Sequence, residues 1–156
     1  MLVTAIHYLH AFMPNQITIE LDCATIKVLN PQLFHLVYRN DYEVELSDVQ
    51  EVDLVFQELA GELVVYVIMD TQGRFTTFSS EAQKYLSKKT ILVQNKQLGG
   101  FALIIDSLPN RILARFYTNV YKPNYKLKVF ANEKEARKWL DKLHVKNEKG
   151  VPAEVD

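Results

Sequence analysis

The chain has 156 residues, enough for one ordinary domain that buries its own core without disulfides or metals as staples. Hydrophobic residues make up 48% and charged residues 24%, which excludes long disordered tracts, and a formal net charge of -1 excludes a global field for nucleic acid or an acidic membrane. The single cysteine, Cys23, excludes an internal disulfide framework and, with no CxxC or Cys/His cluster beside it, leaves a structural zinc site nothing to build on.

Residues 1–13 are apolar but interrupted by His7 and His10, and they lack a basic leader and a small-residue cleavage site. They read as an extension ending at residue 16, not as a signal peptide. No apolar run approaches the roughly 20 residues of a spanning helix, so a soluble, cytoplasmic chain without stable membrane insertion is expected.

Residues 17–29 alternate as a strand, Asn30-Pro31 interrupts, and 33–38 resumes the pattern, predicting a β-hairpin. Ser47, with Gln50 three residues later, precedes apolar Val49, Val52, Phe56 and Leu59, and Gly61 follows; this is a capped amphipathic helix. The run 63–69 (LVVYVIM) is too short for a typical helix and rich in Val, and so predicts a central strand covered on both faces. Ser80 and Gln83 form a capping-box pattern ahead of Ala82, Tyr85 and Leu86. Residues 90–98 fit a short helix or an irregular connection.

Gly99-Gly100 opens a second buried strand at 101–105, and Asp106, Ser107 and Pro109 start a helix. On that helix Ile112, Leu113, Phe116, Tyr117 and Val120 fall on one side and Arg111, Arg115, Thr118, Asn119 and Lys122 on the other, so the first set is expected to be buried. Pro123 stops the helix, 125–130 alternates as a strand, and Asn132 with Glu135 caps a last helix burying Ala136, Trp139, Leu140 and Leu143. A polar tail covers 146–156. Strands alternating with helices predict one α/β domain over 17–145.

The segment 106–140 (DSLPNRILARFYTNVYKPNYKLKVFANEKEARKWL) resembles bacterial SpoIIAA-like proteins, most recognisably in Phe130-Ala131-Asn132 and Trp139-Leu140. Asp70-Thr71-Gln72-Gly73 followed by Phe78-Ser79-Ser80-Glu81 is similar to the STAS pattern of an Asp and a Gly ahead of Asp-Ser-Ser-Gly, with Phe78 in place of the motif aspartate and Glu81 in place of its glycine. The resemblance, to the STAS/Sec14-type family, implies a mixed sheet of about five strands with helices packed against it. It also implies a phosphorylation switch on Ser79, where phosphate would meet free helix N–H groups. Relatives with the same fold that bind lipids imply an apolar small-molecule ligand as the alternative.

Asp70 closes a buried strand, where α/β folds gather ligands but where an Asp is also an ordinary turn residue; Ser79 and Ser80 serve as caps before they serve anything else. Arg111, Arg115 and Lys122 form a row for an anion or partner that Lys126 and Lys128 could extend, or a solvated face. His7 and His10 are two ligands at most, and two ligands are not a metal site. His35 alternates with apolar neighbours in a strand, and His144 lies near a helix C-terminus. There is no nucleophile elbow and no Gly-rich phosphate loop, so no catalytic residue and no cofactor are expected. The expectation is a non-catalytic regulatory or protein-interaction module, or a carrier or sensor for an apolar molecule, with a homodimer if an apolar patch is left open.

Overall fold

The computed structural model describes residues 16–40 and 42–149. In chain order these form β1 (Ile17–Glu20), β2 (Ala24–Asn30), β3 (Leu33–Tyr38), β4 (Glu43–Val44), α1 (Leu46–Ala60), β5 (Val65–Asp70), β6 (Thr77–Phe78) and α2 (Ser80–Lys88). They continue with α3 (Ile91–Gln94), β7 (Leu98–Ile104), α4 (Leu108–Tyr121), β8 (Leu127–Phe130) and α5 (Glu133–Glu148). The class is α/β, with a six-stranded mixed sheet in the order β1-β2-β3-β5-β7-β8 and a small β4-β6 pair beside it.

The predicted hairpin is a three-stranded antiparallel meander. The 17–29 run breaks at residues 21–23, where the Leu21 N–H donates to the Ala24 carbonyl and folds β1 back on β2. That break supplies the strand beyond the expected five, and it moves Cys23 out of a strand into a buried turn. From β3 onward every neighbouring pair in the sheet is parallel. The strand β5 sits between β3 and β7, and its residues Val65 to Met69 are all buried, as an apolar run without alternation requires.

The caps differ from expectation in detail. Glu45, not Ser47, occupies the cap of α1, and its N–H is taken by the Asp48 carboxylate at 2.9 Å, so Ser47 falls inside the first turn. Ser79, not Ser80, caps α2, accepting from the Ala82 N–H, while the Gln83 amide donates to the Phe78 carbonyl. Ser107 and Asn132 cap α4 and α5 as predicted. The last helix runs to Glu148 because Asn147 donates to the Tyr66 hydroxyl at 2.8 Å, tying its final turn to the sheet.

Two core layers result. One face of the sheet packs against α1, α2 and α3 through residues such as Phe34, Val67, Val52, Phe56, Ala82 and Leu92. The other face packs against α5 alone, through Ile68, Ala102, Ile104, Ala136, Leu140 and Leu143. Helix α4 supplies a member to neither cluster.

Both glycines of Gly99-Gly100 lie within β7, and they mark close approaches. A Cβ on Gly99 would sit 2.6 Å from the Tyr66 ring, and one on Gly100 would sit 2.7 Å from a Leu143 methyl. Valine is the better strand former in isolation, yet Gly99→Val is expected to lower stability by about 1–3 kcal/mol by pushing Tyr66 off Asn147. Urea unfolding measures it, and an unchanged midpoint would contradict the packing described.

Candidate functional site

The layer under α4 is not filled. A cavity of ≈ 160 Å³ lies between the sheet and helices α1, α2, α3 and α4, floored by Leu36, Val67, Met69, Phe101 and Leu103 and roofed by Leu113, Ala114 and Tyr117. Its walls come from α1 (Val52, Phe56), from α2 (Leu86) and from Phe78, which meets the Tyr38 ring edge-on at 5.4 Å. A void of about 150 Å³ lined by aliphatic side chains stays dry and admits a benzene-sized molecule. This one has that scale.

Most of the polar groups on its walls are bonded within the protein, while Tyr38, Thr76 and Thr77 make no side-chain hydrogen bond among the described residues. The Thr71 hydroxyl donates to the Ile104 carbonyl at 2.7 Å, and the Tyr117 and Tyr125 hydroxyls bond each other at 2.8 Å. Burial pushes the Tyr117 phenol up to about 12 and raises Tyr38 and Tyr125 further, so these rings stay neutral at physiological pH. Asn110 is half engaged. Its amide nitrogen donates to the Arg74 carbonyl at 2.8 Å, which fixes the orientation of the group, and its Oδ1, fully buried, meets no donor. An unmet buried acceptor carries the full cost of its desolvation, about 1–3 kcal/mol.

Asp53 is the one carboxylate on the cavity wall. It is 4% exposed, accepts from the Tyr85 hydroxyl and the Ile91 N–H, and joins α1 to α2 and to the start of α3. Desolvation raises its pKa against the lowering effect of those hydrogen bonds, and the Tyr85 phenol is in turn pushed up to about 12 by burial and by Asp53. The lining is mostly apolar and favours an uncharged, mainly apolar guest.

A family model matches residues 28–144. The chain belongs to that family, a domain of unknown function (DUF7793). The match runs from β2 into α5 and spans every residue lining the cavity. No curated protein and no solved structure matches the chain.

The DUF7793 domain does not gather the residues that its sequence singles out. Asp70 points to the α5 side of the sheet, where His35 Nε2 lies 3.4 Å from its carboxylate and the Gln72 N–H donates to it. Ser79 belongs to the opposite side with Phe78 and Ala82, its Oγ already engaged as the cap of α2, and Ser80 is exposed beside it. Side chains alternate along a strand, so Met69 faces the cavity and Asp70 cannot. Among the described residues no hydroxyl or thiol bonds to the His35–Asp70 pair, and no three His, Cys, Asp or Glu side chains are placed to hold a metal. His7 and His10 lie outside the described residues. Cys23 is buried, and burial together with Glu51 and Asp48 pushes its thiol up to about 11, far from a reactive thiolate.

The row Arg111, Arg115 and Lys122 is exposed on α4 and its cap, but of the apolar set opposite it only Leu113 and Tyr117 turn inward. Ile112, Phe116 and Val120 are 58%, 52% and 55% exposed, because Asn110, Ala114 and Tyr117 are what α4 turns inward. Periodicity shows that a helix has two faces and not which face the sheet takes. Asn110 and Asp53 were both missed. A carboxylate four residues after Val49 and three before Phe56 falls on the buried stripe of α1, a signal that was available for Asp53.

Replacing Asp53 with Ala leaves two donors without an acceptor and is expected to cost about 1–3 kcal/mol for each that stays dry. A raised carboxyl pKa makes a contribution that is complete below the ordinary value of 3.8 and is lost as pH rises through the folded value. Urea midpoints from acid to neutral pH should therefore show a falling step in the wild type that Asp53→Asn lacks; parallel curves would contradict the assigned environment.

Proposed function

We propose that this domain is a non-catalytic carrier or sensor that encloses a small, uncharged, mainly apolar molecule between its sheet and α4. The single observation carrying the reading is an apolar-lined cavity of ≈ 160 Å³ between the sheet and α4. A guest of about one ring or a short chain would fill the void. Wall groups already bonded within the protein add nothing for a charged substrate to use, which supports binding over chemistry.

The regulatory reading suggested by the STAS resemblance joins this one at α2. Ser79 caps the helix whose Gln83 and Leu86 line the cavity, so occupancy beneath α2 and the state of its N-terminus are mechanically connected. A phosphate on Ser79 would compete for the Ala82 N–H that its Oγ now accepts.

The test is calorimetric binding of toluene, a one-ring probe of the cavity's own size, combined with native mass spectrometry of freshly purified protein. The wild type is expected to bind the probe and to carry a small co-purified mass. Ala114→Phe, which fills the void, should abolish both. Ser79→Asp should shift the probe affinity if the switch is real. Clean apo masses together with probe binding indifferent to Ala114→Phe would sink the carrier reading, and affinity indifferent to Ser79→Asp would sink the switch alone.

A further inference from the structure

Among the described residues, nothing packs over the apolar stripe on the outward side of α4. Leu108, Ile112, Phe116 and Val120 recur every fourth residue and are 69%, 58%, 52% and 55% exposed. Phe75, 50% exposed, belongs to the loop that the Asn110 amide ties to α4 through the Arg74 carbonyl. Such a row, on the one helix that joins no core cluster, is a surface built to be covered.

Charge indicates what covers it. From Ser107 to Asn132 there is no Asp or Glu, while Arg111, Arg115, Lys122, Lys126 and Lys128 all fall within that stretch of a chain whose net charge is -1. Successive residues turn by about 100°, which sets Arg111, Arg115 and Lys122 on one narrow sector beside the apolar stripe and Asn110 and Ala114 on the inward sector. Among the described residues none of these cations lies within ion-pair distance of a carboxylate. The nearest acidic residue in sequence, Asp106, turns its carboxylate to the Gly73 N–H at 3.0 Å.

We propose that α4 docks reversibly, lying in the plane, on an anionic phospholipid bilayer, its Leu108–Ile112–Phe116 stripe in the acyl boundary and Arg111, Arg115 and Lys122 at the phosphates. An apolar stripe flanked by cations is the pattern of an interfacial helix. A second copy of the chain fits worse, because a two-fold contact through α4 offers no carboxylate from residues 107–132 to meet these cations. Docking itself stands apart from the carrier reading. Resting on that reading is one consequence: Leu113, Ala114 and Tyr117 roof the cavity from the helix that meets the lipid, so an apolar guest could pass between bilayer and cavity without crossing water.

Flotation of the full chain with vesicles tests the docking. Vesicles of phosphatidylcholine with about one-third phosphatidylglycerol should carry the wild type up the gradient, vesicles of phosphatidylcholine alone should not, and raised salt should release it. The double variants Ile112→Asp/Phe116→Asp and Arg111→Glu/Arg115→Glu, all at exposed positions, should each lose about tenfold or more in partition, whereas Leu54→Asp, an exposed apolar position on α1, should lose nothing. Ala114→Phe should float as the wild type does, which separates docking from the cavity. Absence of flotation, equal flotation on neutral vesicles, or loss in Leu54→Asp matching the α4 variants would overturn the proposal. Sedimentation showing a dimer dispersed by Ile112→Asp/Phe116→Asp would overturn it as well, by assigning the stripe to a second copy.

Discussion

From β3 onward the strands are laid down in one direction, β3 to β5 to β7 to β8, each parallel to the last, and that order decides where every crossover helix can lie. Parallel connections are right-handed almost without exception, so a sheet that always advances the same way receives all its crossovers on one face. The two core clusters bear this out: α1, α2 and α3 share one face, and only the terminal helix α5, which follows no further strand, covers the other. The face crowded with helices is the one with the void.

The position of α4 follows from the same order. It connects β7 to the edge strand β8, so no later crossover helix can pack beyond it, and among the described residues nothing covers its outer side. Inward it offers Asn110, Ala114 and Tyr117, a short set that does not reach the floor formed by Met69, Phe101 and Leu103. A cavity left in an apolar layer forfeits contacts on every atom that lines it, and an unmet amide oxygen adds to that cost. Full burial of a Val, Leu, Ile or Phe side chain is worth about 1.5–3 kcal/mol, so a helix holding four such side chains half in water and a void beneath leaves stabilisation unclaimed on both sides. Occupants on the two sides would recover it.

Sequence patterns were most reliable where one physical demand acted alone. The run at 63–69 is apolar without alternation, which only a strand covered on both faces tolerates, and β5 occupies it. Asn132 and Ser107 cap helices because nothing else competes for their side chains. Readings failed where tertiary contacts chose between local equals. Ser47 and Glu45 could each begin α1, and the Asp48 carboxylate settled it by taking the Glu45 N–H. The two sides of α4 could each face a sheet, and the side holding Asn110 won. Asp70 and Ser79 kept the spacing of a known motif, yet the alternation of β5 sends the first away from the second. No spacing rule shows a void, because a void depends on the volumes of residues far apart in the chain.

Xenon binding, followed by methyl NMR on the full chain, addresses the empty layer directly, since xenon enters apolar voids and perturbs the methyl groups around them. The account predicts saturable shifts for Leu36, Leu86, Leu103 and Leu113 on the α4 side, with Leu140 and Leu143 on the α5 side unmoved. Shifts spread evenly over both layers, or none at all, would contradict it.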